Sequence, residues 1–179
     1  ALTQKRNVFY TKFRYTMEGV CLMFSVGDKI VHPMHGAGVI QKIEERKILG
    51  EVKAYYVLKL PCNDMDVMLP TDAESSVGIR RIVDKTKIEQ AFQVLKAGSS
   101  SMDSNWNRRF RENMELLRSG DILKVAEVVR NLTRIDRRKK LSAGEKKMLL
   151  NARQVLISEI ILVCDLPEKT AVKLVEDSI

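Results

Sequence analysis

The apolar residues follow two different periods, and the change falls near residue 84. From Met23 to about Arg81 they come in short runs rich in β-branched and aromatic side chains, separated by turn formers. Lys29-Ile30-Val31-His32 stops at Pro33, and the turn His35-Gly36-Ala37-Gly38 leads into Val39-Ile40-Gln41-Lys42-Ile43. Leu49-Gly50-Glu51 marks a turn before residues 54–60; residues 66–69 stop at Pro70, and Ile79-Arg80-Arg81 suits a last short strand. This spacing predicts a small antiparallel β-barrel. Gly36 and Gly38 are expected to allow tight backbone at a corner. No helix follows them, which argues against a phosphate loop.

From Asp84 onward the period is helical. Ile88, Ala91, Phe92 and Leu95 form one stripe, ending before Gly98. A flexible linker over 98–103 follows, and Ser104 or Asn105 suits the cap of the next helix. Beyond Gly120-Asp121 a second stripe holds Ile122, Val125, Ala126, Val129 and Leu132. The run Arg137-Arg138-Lys139-Lys140 leads to Ser142-Ala143-Gly144-Glu145, a capping box in which serine and glutamate satisfy each other's amides. The helix behind it carries Met148, Leu149, Ala152, Leu156 and Ile160 and is apolar nearly all round at 155–163, as the centre of a bundle should be. Pro167 suits the start of a last helix with Ala171, Leu174 and Val175 on one face. The expected class is α+β: a β-domain over 23–82, a connecting helix over 83–98 and a compact all-α bundle over 99–179. Residues 1–22 are basic and lack a clear period, although Val8-Phe9-Tyr10 and Phe13-Arg14-Tyr15 suit a short strand. With Met23 as the expected natural start, 1–22 read as a leader or a non-native extension.

Charge sharpens this division. The chain carries a net +8 over 179 residues, yet residues 105–147 alone hold thirteen Lys/Arg against six Asp/Glu. Residues 23–98 hold eleven against ten. So local an excess suits a phosphate-facing surface better than a merely solvated helix face. Cys21, Cys62 and Cys164 are scattered without a C-x-x-C pair, which fits a reducing cytoplasm rather than a disulfide framework or zinc knuckle. No apolar run reaches transmembrane length, so no membrane partner is expected. Walker, G-x-S-x-G and H-E-x-x-H motifs are missing, and neither catalysis nor a cofactor is expected. The two histidines, His32 and His35, are explained by a strand end and a turn. The rival is a small metal-dependent enzyme using both with Cys62.

The lone tryptophan opens an arginine-rich segment, Asn105-Trp106-Asn107-Arg108-Arg109-Phe110-Arg111. Guanidinium groups beside a bulky ring suit nucleic acid, the former pairing with phosphates and the latter stacking or wedging at a base. At about 100° per residue, however, Trp106, Phe110, Met114 and Leu117 share one stripe. Spacing alone therefore assigns the ring to the core; its place in the first turn behind a linker favours exposure. Arg108, Arg111 and Arg118 fall on the opposite face. Lys146 and Lys147 sit in the first turn of the capped helix, where each opposes the macrodipole by roughly 0.3–1 kcal/mol. Cations placed against that cost hint at a role, and the helix N-terminus is itself a ready phosphate site.

Four ordered segments resemble the CarD family of bacterial transcription regulators, called CdnL in some lineages. They are the opening from Phe24-Ser25-Val26-Gly27-Asp28 to His35-Gly36-Ala37-Gly38, the Asn105-Trp106 segment, Gly120-Asp121 through Val128-Val129-Arg130, and Leu141-Ser142 through Met148-Leu149. The resemblance implies a Tudor-like, SH3-like β-domain that binds the RNA polymerase β subunit, and a helical domain that binds promoter DNA. Such proteins act with the housekeeping sigma factor holoenzyme, and would reside in the cytoplasm at the nucleoid. They stabilise the open promoter complex with a tryptophan wedge at the upstream bubble edge. Carried over by motif, the wedge is Trp106, and DNA-backbone contacts are Arg108, Arg109, Arg111, Lys146 and Lys147. The polymerase contact includes Arg46 and the position of Met68, where some members have arginine. Met68 makes that contact apolar or leaves it to a neighbour. His32 replaces a common tyrosine. The alternative on this resemblance is a polymerase-binding adaptor without DNA contact, like the interaction module of the transcription-repair coupling factor.

Overall fold

The computed structural model describes residues 24–48, 50–62, 66–71 and 78–179, with the backbone of Thr16–Met17 (β1) and Val20–Cys21 (β2), which pair as a two-stranded ribbon. The strand suggested at 8–15 lies outside the described residues. Five further strands form one antiparallel sheet: β3 Lys29–His32, β4 Gly36–Ile48, β5 Glu51–Lys59, β6 Asp66–Pro70 and β7 Arg80–Arg81. Their order is β6-β5-β4-β3-β7. The turn after β3 is one residue group earlier than spacing suggests, at 33–35, so Gly36 and Gly38 belong to β4 itself.

The register assigns the two sheet faces. Ile40 faces Leu58 and Ile43 faces Tyr56, with a bulge at Gln41 between them, so two residues three apart reach the same side. That inner side holds the buried cluster Phe24, Ile30, Ile40, Tyr56, Leu58 and Leu69. Tyr56 is wholly buried; its hydroxyl accepts the Phe24 amide at 3.3 Å and its ring meets Phe24 edge-on at 6.0 Å. On the opposite face the pairings Val31↔Ala37 and Val31↔Arg80 line up residues that turn toward the helices.

Five helices complete the chain: α1 Lys85–Lys96, α2 Trp106–Arg118, α3 Ile122–Arg138, α4 Ala143–Cys164 and α5 Glu168–Glu176. The first four are capped by the side chains of Asp84, Asn105, Asp121 and Ser142. The expected stripes of α1, α3 and α4 are buried, apart from a half-buried Phe92; on α5 Ala171 and Val175 turn inward while Leu174 stays 40% exposed.

The sheet and the bundle share a core, because Val31 and Ala37 belong to the helical cluster. Polar side chains in the apolar stretch of α4 fix this contact. Ser158 Oγ accepts the Ala37 amide at 2.8 Å, and a Cβ on Gly36 (φ +93°) would stand 2.5 Å from that oxygen. Gly36 therefore serves close approach between β4 and α4 as well as the turn. Glu159 is wholly buried and receives both Arg80 nitrogens, at 2.6 and 2.8 Å, and the Val83 amide at 3.0 Å. Arg80 also donates to the Gly120 carbonyl at 2.5 Å, joining the α2–α3 corner to the same knot.

Two outcomes follow. Glu159→Ala takes one acceptor from Arg80 and the Val83 amide, and urea unfolding should register a loss of about 1–3 kcal/mol, because Arg80 is partly exposed and keeps the Gly120 and Arg81 carbonyls. His32 is 7% exposed; burial first, then the neighbouring His35, lowers its pKa to about 4. Its ring stays neutral while Nδ1 accepts the Met34 amide at 3.1 Å. Between the folded value and the ordinary 6.5 the unfolded chain binds the extra proton, so stability should fall as pH drops through that window. The full effect is up to roughly 3 kcal/mol. In His32→Tyr, urea midpoints followed against pH should lose this slope.

Candidate nucleic-acid interface

Helix α2 starts where Asp103 Oδ1 accepts the Asn105 amide at 2.8 Å and the Asn105 side chain accepts the Asn107 amide at 3.0 Å. Its buried line is Arg109, Asn113 and Leu117. Trp106 lies a turn before that line and is 53% exposed. Helix α4 begins at the level of Arg109 and Phe110, since Gly144 packs under the Phe110 ring and Glu145 meets Arg109. The preceding turn, with Asn105, Trp106 and Asn107, is exposed. The helical stripe thus gives the side on which the indole points but not its height along the bundle.

Arg109 is only 5% exposed. Its Nε donates to Glu145 Oε1 at 2.7 Å, a second nitrogen lies 2.6 Å from that oxygen, and Nη1 donates to the Asp103 carbonyl at 2.9 Å. The other Glu145 oxygen accepts the Ser142 amide and hydroxyl at 3.2 and 2.9 Å. Burial by itself would raise the Glu145 pKa; hydrogen bonds from Arg109 and Ser142 outweigh it and hold the carboxyl below its ordinary value. The expected phosphate contact of Arg109 is thereby replaced by an internal one. Its role is to hold the residues before Trp106 onto the start of α4.

Other arginines of the basic segment are also engaged within the protein. Arg130 is buried and donates to the Val94 carbonyl at 2.9 Å and to Ser100 Oγ at 2.7 Å; Arg134 donates to the Ala97 carbonyl at 2.8 Å. Both place a cation at the C-terminal carbonyls of α1, where the helix dipole favours it. Ser100 further pairs with Asn131 and Glu127. The linker expected to be flexible is therefore tied along α3. Arg108, Arg111, Lys146 and Lys147 remain exposed; Arg108 has Asp103 and Glu112 at 3.4 and 3.5 Å, pairs too open to hold it firmly. They surround the starts of α2 and α4, which the Arg109–Glu145 pair brings together.

The other candidate surface lies on the sheet. Glu44↔Tyr55, Tyr55↔Pro70 and Arg46↔Lys53 place Arg46, Tyr55, Pro70 and Met68 on the same face, by two-residue alternation. Arg46 is held at 2.7 Å by Glu44, whose pKa is lowered by hydrogen bonds from Lys42 and then Arg46. Met68 is half-buried beside Val57. Tyr55 and Pro70 are neighbours that motif reasoning passed over, although alternation along β5 and β6 points to them. The two histidine rings lie 4.5 Å apart and tilted by 37°, whereas Cys62 lines a cleft with Arg153, Gln154 and Glu168. Among the described residues no group of three or more His, Cys, Asp or Glu is placed to hold a metal ion.

Residues 24–83 match the family described as CarD-like/TRCF RID domain, and residues 90–176 match CarD, C-terminal domain. The chain belongs to the CarD family. It is 41% identical over 147 residues to a Bacillus subtilis (strain 168) protein named "Putative transcription factor YdeB", covering 82% of this chain and 96% of the relative. CarD-like proteins are transcription factors, and the first match is to their RNA polymerase-interacting domain. No helix among the described residues is long and apolar enough to cross a membrane.

Because Trp106 is the only tryptophan, its fluorescence reports the site directly. Red-shifted emission with ready iodide quenching is expected in the folded protein. Arg109→Met strands Glu145 in the interior, costing about 3–5 kcal/mol in urea unfolding, and the indole's emission anisotropy should fall.

Proposed function

We propose that this protein regulates transcription initiation by joining RNA polymerase to promoter DNA through separate surfaces. The β-domain of residues 23–82 grips the polymerase β subunit with the face bearing Arg46 and Met68, assisted by Tyr55 and Pro70. The helical domain of residues 99–179, reached through the connecting helix of residues 83–98, meets DNA in the holoenzyme that carries the housekeeping sigma factor. Trp106 wedges at the upstream edge of the bubble. Arg108, Arg111, Lys146 and Lys147 neutralise flanking phosphates, while Arg109 positions the wedge from below. The observation that carries this reading is an indole 53% exposed on a pinned helix start, with exposed cations in the first turns of α2 and α4.

Inserting a side chain between stacked bases costs a few kcal/mol, and the cost falls where the strands are already parting. Such a protein binds open DNA better than closed DNA and shifts the equilibrium by that difference. The exposed pole also favours DNA contact over the adaptor reading, in which the helices touch only protein. The reading places the protein in the cytoplasm, wherever polymerase is engaged.

Trp106→Ala should shorten the lifetime of open complexes several-fold in competitor-challenge assays with purified holoenzyme, while polymerase affinity stays near the parent's. Arg46→Glu should do the converse, weakening polymerase binding and leaving free-DNA affinity intact. An unaltered lifetime in folded Trp106→Ala rules out the wedge.

A further inference from the structure

The run Arg137-Arg138-Lys139-Lys140 has no part in the contacts described so far, yet two of its members share a cleft with the residues that precede α2. A cleft of about 380 Å³ separates the end of α3 from the start of α2, lined by Met102, Asp103, Ser104, Ile135, Arg138 and Lys139 together with the internally paired Arg109. A second, of about 160 Å³, shares Met102, Ile135 and Arg138 and continues along the linker past Ser99 and Arg134. The two make a groove leading to the residues that cap α2. Its floor is apolar, from Met102 and Ile135; its wall is cationic.

A simpler account of the four cations covers only half of them. Arg137 and Arg138 occupy the last turn of α3, where any cation is favoured by the helix dipole. Lys139 and Lys140 lie beyond the helix, in backbone already extended at Lys139 (φ −146°, ψ 145°). All four are exposed, and none is paired with a described carboxylate. The nearby Asp136 is occupied by the Leu141 amide at 3.3 Å. Asp103, the one acid of the groove, is held by the Asn105 amide and faces Arg108.

We propose that this groove carries the sugar-phosphate backbone of the DNA strand adjoining the wedged step, with Arg138 and Lys139 as phosphate contacts and Arg137 and Lys140 flanking them. An apolar floor suits deoxyribose faces, and a cationic wall suits the phosphates between them. The inference rests on the DNA reading above and deepens it. It extends the contact from the Arg108–Lys147 pole around the end of α3, so that Trp106 stands between two cationic tracks.

The test is the salt dependence of binding of the full chain to a fluorescent forked promoter fragment, followed by anisotropy. Each phosphate contact contributes about 0.7–0.9 to the slope of log affinity against log salt. R138A/K139A should lower that slope by about 1–2, while its stability falls by no more than about 1 kcal/mol, the dipole contribution of an exposed cation; Arg138→Glu should weaken binding further at low salt. A slope equal to the parent's in R138A/K139A, when Lys146→Ala reduces it, overturns the groove and leaves the DNA reading standing. A parent without any salt slope overturns both. Unchanged DNA slope with lost holoenzyme binding would assign the run to a protein partner and likewise overturn the groove.

Discussion

Glu145 serves two helices with one carboxylate. One oxygen closes the capping box with Ser142; the other takes Arg109 of α2. Burying an ion pair brings little net stability, because desolvation offsets most of the attraction. What the pair supplies is direction. Its hydrogen bonds are short and oriented, so the start of α2 is registered against the start of α4, and Arg109 in turn holds the Asp103 carbonyl that precedes the cap. The exposed indole one turn earlier therefore projects from a helix start whose base is anchored.

A second buried carboxylate does comparable work at the join of sheet and bundle. Glu159 collects Arg80 and the Val83 amide, Ser158 takes the Ala37 amide, and Gly36 leaves room for α4 to approach. One consequence concerns the sheet face that carries Arg46 and Met68. The same face, followed back through Ala37 and Val31, is the one that packs on α4. The proposed polymerase surface and the bundle therefore share one sheet, and the strand register relates them directly.

Charge density proved a coarser guide than charge disposition. The excess between residues 105 and 147 reads as a phosphate-facing surface, but Arg109, Arg130 and Arg134 are spent on Glu145 and on the carbonyl end of α1. Arginine suits such work because its planar fork satisfies several acceptors at once. Among the cations left over, Arg108, Arg111, Lys146 and Lys147 lie near the starts of α2 and α4, whereas Arg118 and Lys124 lie at the far ends of α2 and α3. Similarly, the linker's serines and glycine suggest freedom, whereas Ser100 is pinned to α3 by contacts thirty residues away. Neither fact is local, and no window of sequence contains both partners.

Local chemistry was legible throughout. Short β-branched runs and the 3.6 period separated the β-domain from the helices, Asp84, the pair Ser104 or Asn105, Gly120-Asp121 and Ser142 marked helix boundaries, and the ordered motifs indicated the family. These depend on neighbours within a turn or a strand, which is the range over which backbone hydrogen bonding acts. Height along a bundle, the partner of a buried charge and the sharing of a sheet face depend on which elements meet. Packing alone decided that Trp106 stands out, that Arg109 turns in and that Glu159, amid an apolar run, locks the sheet to the bundle: each is settled by which side chain from elsewhere in the chain lies within hydrogen-bonding reach.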